Sequence, residues 1–396
     1  MSQPSPEAAE AAAWLTRNAV DCLPEGALAA RLDEGRPLRA KLGVDPTSSD
    51  LHLGHTVVLT KLREFQDLGH TAVLIIGDYT ARVGDPSGRS ALRPVLSGEE
   101  IDAHADTYLA QATKVLRTDE TLEVRRNSEW LDMAMEDLFR LIRIPTVARL
   151  LERDDFAKRF AAHTPISLLE LLYPVLQGYD SVAVQADVEL GGTDQKFNLL
   201  MGRDIQGAYG QREQLILTTP IINGIDGASK MSKSYDNHIG INEAAEEIFG
   251  RTMRIPDTIL GEWYDVLLGK PVPAGLGPRD AKRALARSLA DRFAGAGAGE
   301  AAQAAFDQVF VTGGVPDDIA EFSFAGNGGG DIHVPALIAD AFGGSRSDAR
   351  RTLAQGGVKL DGVALAAGDL DLPAERLDGA LLQVGKRRFA RLRRAP

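Results

Sequence analysis

Residues 42–55, LGVDPTSSDLHLGH, decide the fold of this chain because they join a strand to the start of a helix. The apolar opening predicts the end of a strand, and Asp45-Pro46 marks a tight turn. Ser48, Ser49 and Asp50 are residue types that cap helices, so we expect a helix to start near Asp50. The first amides of such a helix, and the positive end of its dipole, favour an anion. The stretch therefore predicts an anion site between a strand and a helix.

Two histidines, His52 and His55, lie three residues apart on the expected first turn and share a face of the helix. Gly54 lies between them and leaves room for a flat ring or a ribose close to the backbone. An HxxH pair alone is more often a surface feature or two ligands of a zinc site, but the single cysteine, Cys22, gives no support for zinc. Beside an anion site, the pair predicts a nucleotide site with two imidazoles near the phosphates.

The segments around this stretch predict a parallel sheet covered by helices. Residues 71–76, TAVLII, are an apolar run typical of a buried strand, and residues 122–126 predict another strand. Residues 97–117 predict a helix with a Ser-x-x-Glu capping box at its start, and residues 7–35 predict Ala-rich helix. Ligands gather at the carboxyl ends of parallel strands. The expected fold class is α/β, with a Rossmann-type parallel-sheet domain.

Charge divides the chain into an acidic body and a basic end. Residues 331–396 carry eleven Lys and Arg against eight Asp and Glu, whereas the preceding 330 residues carry 33 against 48. The net charge of −12 argues against indiscriminate binding to nucleic acid. No apolar run is long enough to cross a bilayer, and no secretory signal is expected at the N-terminus. One cysteine excludes an intramolecular disulfide, so we expect a cytoplasmic location.

A second motif, KMSKS at residues 230–234, follows His55 after about 175 residues. Together, HLGH and KMSKS resemble the two signatures of class I aminoacyl-tRNA synthetases. GDPSGR (84–89), LYPVLQGYD (172–180), GGTDQ (191–195) and a C-terminal module similar to the S4 RNA-binding fold are typical of bacterial tyrosyl-tRNA synthetases. The tryptophanyl relatives typically show PSG where this chain has DPT, and they lack such a module, which favours tyrosine.

The resemblance implies that the chain activates L-tyrosine with ATP to tyrosyl-adenylate and pyrophosphate, and then transfers tyrosine to the 3′ end of tRNA(Tyr). ATP would come with Mg²⁺ as a substrate complex, and we expect no prosthetic group and no metal site of the protein itself. The expected partners are L-tyrosine, ATP and tRNA(Tyr), with no membrane. We also expect a homodimer with its interface at the helical insertion near residues 130–170, although ordinary core packing explains the apolar turns there equally well.

The resemblance also assigns roles to individual residues. The residues implied for catalysis are Thr47, His52, His55, Lys230 and Lys233. The residues implied for ATP binding are Gly54, Gly192, Asp194, Met231, Ser232 and Lys233. The residues implied for tyrosine binding are Lys41, Asp85, Asn127, Tyr173, Gln177, Asp180 and Gln195. The residues implied for tRNA binding are Arg346, Arg350, Arg351, Lys386, Arg387 and Arg388.

Within the tyrosine site, the resemblance implies that Asp85 with Tyr173 and Gln177 holds the ammonium, and that Asp180 holds the phenol hydroxyl. Lys41 departs from the pattern, because many relatives have a tyrosine there that also contacts the phenol. A lysine at this position could donate to the phenol oxygen, pair with Asp180, or point away.

The expected domains follow from these features. We predict a Rossmann-type catalytic domain over residues 1–240, a helical domain over 241–325, a Gly-rich linker over 326–332, and a small α+β domain similar to S4 over 333–396.

Three other functions stay open from the sequence. A tryptophanyl enzyme would differ in the amino acid that drives ATP–pyrophosphate exchange. A nucleotidyltransferase of a cofactor pathway also uses an HxGH motif, but it has no use for a basic C-terminal module. An RNA-binding protein with a silent synthetase body would show no adenylation, although both signatures stand intact here.

Overall fold

The structure, a computed structural model, describes residues 4–46, 50–85, 97–310, 319–325, 330–385 and 388–395. The chain divides into two compact units, Met1–Gly295 and Ala296–Pro396. Four stretches that carry predictions lie partly or wholly outside the described residues: the DPT turn at Thr47, the GDPSGR segment from residue 86, the Gly-rich segment at 326–329, and Lys386 with Arg387.

The first unit is built from a six-stranded sheet and fourteen helices among the described residues. The strands are β1 Asp21–Leu23, β2 Arg39–Val44, β3 Thr71–Ile76, β4 Leu122–Arg126, β5 Val188–Gly192 and β6 Leu215–Thr219. The first helices are α1 Pro6–Thr16, α2 Ala27–Leu32, α3 Leu53–Asp67, α4 Thr80–Val83, α5 Gly98–Ala112, α6 Ser128–Leu131 and α7 Met135–Ile142. The others are α8 Val147–Leu150, α9 Asp154–Ala161, α10 Leu168–Ala183, α11 Lys196–Ala208, α12 Ala245–Thr252, α13 Leu260–Leu268 and α14 Pro278–Ala294.

The sheet order is β1-β6-β5-β2-β3-β4, and every neighbouring pair is parallel except β1 with β6. From β2 the chain moves outward through β3 and β4, and it then returns to the other side of β2 for β5 and β6. The crevice between β2 and β5 is therefore the point where the direction of winding reverses. In open parallel sheets this is where ligands bind, outside the carboxyl ends of the strands. The α/β, Rossmann-type prediction is confirmed.

The strands alternate between two buried faces. Ala40, Leu42, Val188 and Leu190 join the main hydrophobic core, which also contains residues of α3. Their neighbours Lys41 and Glu189 point to the opposite face, because successive side chains of a strand alternate. On that face α10 and α11 pack together. The predicted strands at 71–76 and 122–126 are confirmed as β3 and β4, and Ser97 forms the predicted capping box of α5.

Two parts of the first unit differ from the expectation. Residues 7–35 contain a strand, β1, between two helices, because Asp21–Leu23 pairs with β6 and forms the edge of the sheet. The helices α12 to α14 were expected to form a domain of their own. In the structure, Ile248, Trp263 and Leu285 of these helices belong to the same hydrophobic core as the sheet.

In the described part of the second unit, α15 is followed by two small sheets and three further helices. Its helices are α15 Ala298–Phe310, α16 Val334–Phe342, α17 Arg346–Ala354 and α18 Ala374–Leu377. Its strands are β7 Glu321–Phe324, β8 Asp331–His333, β9 Val358–Leu360, β10 Val363–Ala364, β11 Asp371–Pro373, β12 Leu381–Val384 and β13 Arg388–Arg394. One sheet has the order β10-β9-β12-β13-β7, and β8 pairs with β11 in the other. The small α+β C-terminal fold is confirmed.

The C-terminal sheets include two strands in ranges where the sequence predicted no strand. Strand β7 lies in the range expected to be helical, but it pairs in parallel with β13. Strand β8 starts at Asp331, inside the range expected to be linker, and pairs with β11. Both strands are short and gain their stability from a partner distant in sequence, which local composition does not reveal. No helix among the described residues is long and apolar enough to span a membrane.

Candidate active site

Helix α3 begins at Leu53, so the expected start near Asp50 is wrong. The N-cap is His52, whose side chain Nδ1 accepts a hydrogen bond of 3.2 Å from the backbone N–H of Gly54. His55 completes a capping box, because its Nδ1 accepts a hydrogen bond of 3.2 Å from the backbone N–H of His52. The two imidazoles thus do the capping that the sequence assigned to the preceding serines and aspartate.

The two imidazoles form a neutral pair. Their ring centroids lie 3.9 Å apart. Burial lowers the pKa of His52 to about 2 and the pKa of His55 to about 4, and the charge of Lys233 lowers both pKa values as well. Because each Nδ1 accepts from a backbone amide, each neutral ring carries its proton on Nε2. The pair therefore supplies two N–H donors beside a helix N-terminus, a combination suited to phosphate oxygens.

Backbone hydrogen bonds join the HLGH segment to the segment that follows KMSKS. The N–H of Leu53 donates to the carbonyl of Ile239 at 2.9 Å, and the N–H of Ile241 donates to the carbonyl of Leu51 at 3.0 Å. Two motifs separated by about 175 residues in the sequence are therefore neighbours in one site.

The two lysines of KMSKS lie next to carboxylates. Lys233 Nζ is 2.8 Å from Asp50 Oδ2, and Lys230 Nζ is 4.0 Å from Asp194 Oδ2. All four side chains are about one-third to one-half exposed, so these pairs add little to stability. An incoming polyphosphate can replace either carboxylate as the partner of its lysine. Asp50 had no role in the sequence-based assignment.

Met231 anchors this loop to the body. Its side chain is buried in the main core, and its N–H donates to the carbonyl of Ile222 at 2.9 Å. A Cβ on Gly54 would lie 3.8 Å from the Cβ of Met231 and 3.0 Å from the ring of His52. Glycine at position 54 thus lets the start of α3 and the loop pack closely. The position of the Met231 side chain lends no support to its predicted part in ATP binding.

Asn237, which the sequence analysis missed, organises the rest of the loop. Its Oδ1 accepts from the N–H of Ser232 at 2.8 Å. Its Nδ2 donates to the carbonyls of Ser229 and Lys230 at 3.2 and 3.1 Å, and to Asp226 Oδ2 at 2.9 Å. A buried asparagine a few residues after KMSKS was the available signal.

A cavity of about 240 Å³ opens at the crevice between β2 and β5. It is lined by Leu42 to Asp45 at the end of β2 and by Leu190 to Gly192 at the end of β5, together with His55 of the capping box. Five of the seven residues predicted for tyrosine also line it: Asp85, Tyr173, Gln177, Asp180 and Gln195. The predicted amino-acid site and His55 of HLGH therefore share one cavity.

The cavity gathers three carboxylates. Asp45 accepts hydrogen bonds from the hydroxyls of Thr80 at 2.7 Å and Tyr173 at 2.9 Å. Burial raises the pKa of Asp45 to about 7, and the nearby carboxylates of Asp85 and Asp180 add to this increase. A ligand cation would relieve the repulsion, so the cavity favours an ammonium group. Among the described residues, no cluster of His, Cys, Asp and Glu has the makings of a metal site.

Asp180 lies deep in this cavity. It accepts from the indole Nε1 of Trp130 at 2.9 Å and from Asn127 Nδ2 at 3.5 Å. Burial raises its pKa to about 6, which the charge of Lys41 partly offsets. Asn127 is fully buried and also donates to Thr80 Oγ1 at 2.9 Å. Asn127 thus positions the cavity wall, and it is not among the residues that line the cavity.

Asp85 already has a cationic partner in the structure. Arg153 forms an ion pair of 3.2 Å with Asp85 Oδ1, and Gln195 Nε2 donates to Asp85 Oδ2 at 2.7 Å. Arg153 is only 5% exposed and also donates to Asn198 Oδ1 at 3.2 Å. Asn198 in turn donates to Gln177 Oε1 at 3.0 Å. Arg153 and Asn198 were missed because nothing near them in the sequence marks them as site residues.

Lys41 neither points toward a phenol oxygen in the cavity nor pairs with Asp180, the two contacts considered for it within the tyrosine site. Its ammonium donates to Glu189 Oε1 at 2.8 Å, to Ser181 Oγ at 2.9 Å and to the carbonyl of Gln177 at 3.1 Å. All three protons are thereby used, and Lys41 does not line the cavity. The prediction that Lys41 binds tyrosine is corrected, because its position on the helix-facing side of β2 puts Glu189 on β5 directly beside it.

Asp194 follows β5 on a short 3-10 turn, Thr193–Gln195. Burial raises its pKa, and the charge of Lys230 partly offsets this increase. A Cβ on Gly192 would lie 2.7 Å from Asp194 Oδ1, so the glycine permits this tight turn. A carboxylate at a strand end beside the HLGH helix is well placed for ribose hydroxyls.

Three of the residues assigned to tRNA binding lie on helix α17 of the second unit. Ser345 caps α17 by accepting from the N–H of Asp348. On this helix Arg346, Arg350 and Arg351 are exposed. The guanidinium of Arg388 lies 5.6 Å from the centre of the Phe342 ring, near the start of α17. Lys386 and Arg387 lie outside the described residues.

Comparisons with known proteins agree on the family. The profile of the tRNA synthetases class I (W and Y) matches residues 33–311. A tyrosine–tRNA ligase of Bordetella avium (strain 197N) is 49% identical over 369 residues, which covers 90% of this chain and 89% of that protein. A tyrosine–tRNA ligase of Thiobacillus denitrificans is 48% identical over 390 residues, which covers 96% of this chain and 98% of that protein.

Solved structures share the fold. A C-terminally truncated mitochondrial tyrosyl-tRNA synthetase of Aspergillus nidulans superposes with a TM-score of 0.64 at 20% identity, covering 76% of this chain and 94% of that one. A tyrosyl-tRNA synthetase of Archaeoglobus fulgidus complexed with L-tyrosine has a TM-score of 0.60 at 22% identity, covering 74% and 99%. With HLGH and KMSKS joined in one site, the chain belongs to the class I tRNA synthetase family that contains the tryptophan and tyrosine enzymes.

Proposed function

We infer that the protein is a tyrosine–tRNA ligase, which activates L-tyrosine with ATP and transfers it to the 3′ end of tRNA(Tyr). The observation that carries this inference is the shared cavity. Asp180 lies deep within it, and the cavity is lined by His55 of the HLGH pair. One end of the cavity suits a phenol and an ammonium, and the other suits phosphates. The high identity to two tyrosine–tRNA ligases supports the same inference.

Selection of tyrosine follows from buried polar groups. The Asp180 carboxylate is held by Trp130 and Asn127, and it accepts the phenol O–H of the substrate. Phenylalanine would leave this buried group without its partner, which lowers the rate of its activation by about 10⁴–10⁵-fold in sites of this kind. That magnitude is the one known for a tyrosyl enzyme that discriminates against phenylalanine. Asp45, Asp85, Tyr173 and Gln177 surround the ammonium.

Adenylate formation needs positioning and charge neutralisation, because the tyrosine carboxylate itself attacks the α-phosphate. The Nε2–H groups of His52 and His55 donate to phosphate oxygens as pyrophosphate leaves. Lys230 and Lys233 leave their carboxylate partners, Asp194 and Asp50, and pair with the same phosphates. ATP is bound as its Mg²⁺ complex, with the metal as part of the substrate. Gly192 and Asp194 hold the ribose, and Thr47 would add a hydroxyl.

ATP–pyrophosphate exchange with each of tyrosine, tryptophan and phenylalanine tests this function. We expect exchange with tyrosine and little with the other two. The matched control is Asp180→Asn, which keeps the shape of the site and should reduce the preference for tyrosine over phenylalanine. Tryptophan as the better substrate would contradict the inference.

We also propose a homodimer formed through the helices of the 130–170 insertion and the start of α10. Six large apolar residues there are about half exposed or more: Met135, Phe139, Val147, Phe160, Leu168 and Leu169. Apolar surface gathered in one region is typical of a protein interface. Sedimentation of the wild type and of a Phe139→Glu, Phe160→Glu variant tests this. A wild-type monomer that still charges tRNA would refute the dimer.

The exposed arginines of α17 and Arg388 are proposed to hold the backbone of tRNA(Tyr). Lys386 and Arg387, which precede Arg388 in the sequence, are proposed to share this role. Phosphate contacts of this kind give an affinity that falls with salt. A cytoplasmic location stays a prediction from the cysteine content.

A further inference from the structure

We propose that the buried pair Lys41–Glu189 is a positioning unit that holds Gln177 in place for the ammonium of the amino acid, without contacting the substrate. This inference rests on the proposed tyrosine-activating function. It assigns a role to two residues that lie behind the cavity wall, on the neighbouring strands β2 and β5.

The pair is completely enclosed. The side chains of Lys41 and Glu189 are 0% and 1% exposed, and their charged atoms lie 2.8 Å apart. Glu189 also accepts from Ser181 Oγ at 3.0 Å, from Gln177 Nε2 at 3.3 Å and from Gln214 Nε2. Every proton of the Lys41 ammonium and both oxygens of Glu189 are therefore used within the protein.

Two of these bonds converge on Gln177. Its backbone carbonyl accepts from Lys41, and its side chain Nε2 donates to Glu189. Its Oε1 accepts from Asn198 on α11. With three of its polar groups held, the Gln177 side chain is confined to one orientation where it lines the cavity. Ser181, one turn further along α10, bonds to both members of the pair.

Stability alone does not account for such a pair. A buried ion pair is often no more stabilising than well-packed apolar side chains of the same volume, because both charges lose their hydration. The pair adds hydrogen bonds of fixed direction between the sheet and α10. This helix also carries Tyr173 and Asp180. Ligand-holding residues kept in one geometry by such partners bind more tightly.

The test is the double variant Lys41→Met with Glu189→Gln, which removes both charges at nearly constant volume. Lys41 and Glu189 act on Asp180 with opposite signs, so removing both charges changes the environment of its carboxyl less than removing Lys41 alone. We expect KM for tyrosine in pyrophosphate exchange to rise about 10–100-fold, with KM for ATP changed by no more than about threefold. The ratio of kcat/KM for tyrosine to that for phenylalanine should stay the same, because both substrates carry the ammonium.

The matched control is Arg31→Met. It breaks another buried ion pair, Arg31–Asp187 at 3.1 Å, next to the start of β5 but away from α10. It should lower the melting temperature without raising KM for tyrosine. Should the double variant not fold, Ser181→Ala removes one bond to each member of the pair, and we expect the same selective rise in KM, about two- to fivefold.

Three results are distinguishable. A folded double variant with an unchanged KM for tyrosine overturns the proposal. A selective gain of phenylalanine activity also overturns it, because Lys41 would then act at the phenol. A wild type without tyrosine-dependent exchange would refute the proposed function itself.

Discussion

Asp45→Asn should make the free protein more stable at neutral pH while it weakens the binding of tyrosine. Burial raises the pKa of Asp45 from 3.8 to about 7. In the unfolded chain the Asp45 carboxyl loses its proton near pH 4, whereas in the folded chain it keeps the proton until about pH 7. Between these two pH values the free energy of unfolding therefore decreases as the pH rises. A pKa difference of about three units, at about 1.4 kcal/mol per unit, lowers the free energy of unfolding by about 4 kcal/mol. Asparagine has no ionisable carboxyl, so the variant does not lose this stability.

The assay is urea unfolding of the wild type and the variant at several pH values from about 5 to 8. The free energy of unfolding of the wild type minus that of the variant should fall with rising pH up to about 7 and then become constant. Saturating tyrosine should reduce the difference in unfolding free energy between wild type and variant at about pH 8, because its ammonium compensates the Asp45 charge. Its effect on the variant should be smaller.

Asp21→Asn is the matched control. A hydrogen bond from Lys196 lowers the pKa of Asp21 below 3.8, so its contribution is present above that pH and lost only below it. Its difference curve should therefore be flat from about pH 5 to 8. A flat curve for Asp45→Asn as well would refute the reasoning, since Asp45 would then be ionised throughout this range.

Three further predictions concern the loop, the α10–α11 contact and the basic helix. Lys233→Ala should slow adenylate formation and leave the tyrosine Kd unchanged in equilibrium binding, because the lysine meets charge that develops late; an equal loss in both would contradict this. Gly178→Ala should lower stability by about 1–3 kcal/mol in urea unfolding, because its Cβ would lie 2.6 Å from Ile205 Cδ1; an unchanged midpoint would contradict it. Replacing the three arginines of α17 by alanine should reduce the slope of log tRNA affinity against log salt by about two and leave exchange intact, whereas an unchanged slope would remove them from the interface. These arginines are Arg346, Arg350 and Arg351.

Much of the fold could be predicted because its signals are local. TAVLII predicted β3 with the right bounds, and Ser97 with Glu100 predicted the start of α5. Both signals act between residues a few positions apart, so the sequence carries them without knowledge of the fold. The two signature motifs and the motif LYPVLQGYD likewise located the candidate site, since five of the seven residues assigned to tyrosine line one cavity.

Only the tertiary structure decided which side chains and strands become hydrogen-bond partners. The sequence showed that Lys41 is unusual, but its partner Glu189 lies 148 positions away and becomes adjacent only through the parallel pairing of β2 with β5. Helix α3 starts at Leu53, after the N-cap His52, because Leu51 and Leu53 are hydrogen-bonded to the segment after KMSKS, and local capping preferences do not include these bonds. Strands β1 and β7 form at sheet edges because each pairs with a strand that is distant in the sequence, β6 and β13 respectively. Composition and periodicity set which residues are buried and which elements form, whereas hydrogen-bond partners across the sheet depend on the order of its strands, and that order is settled by the packing of the whole chain.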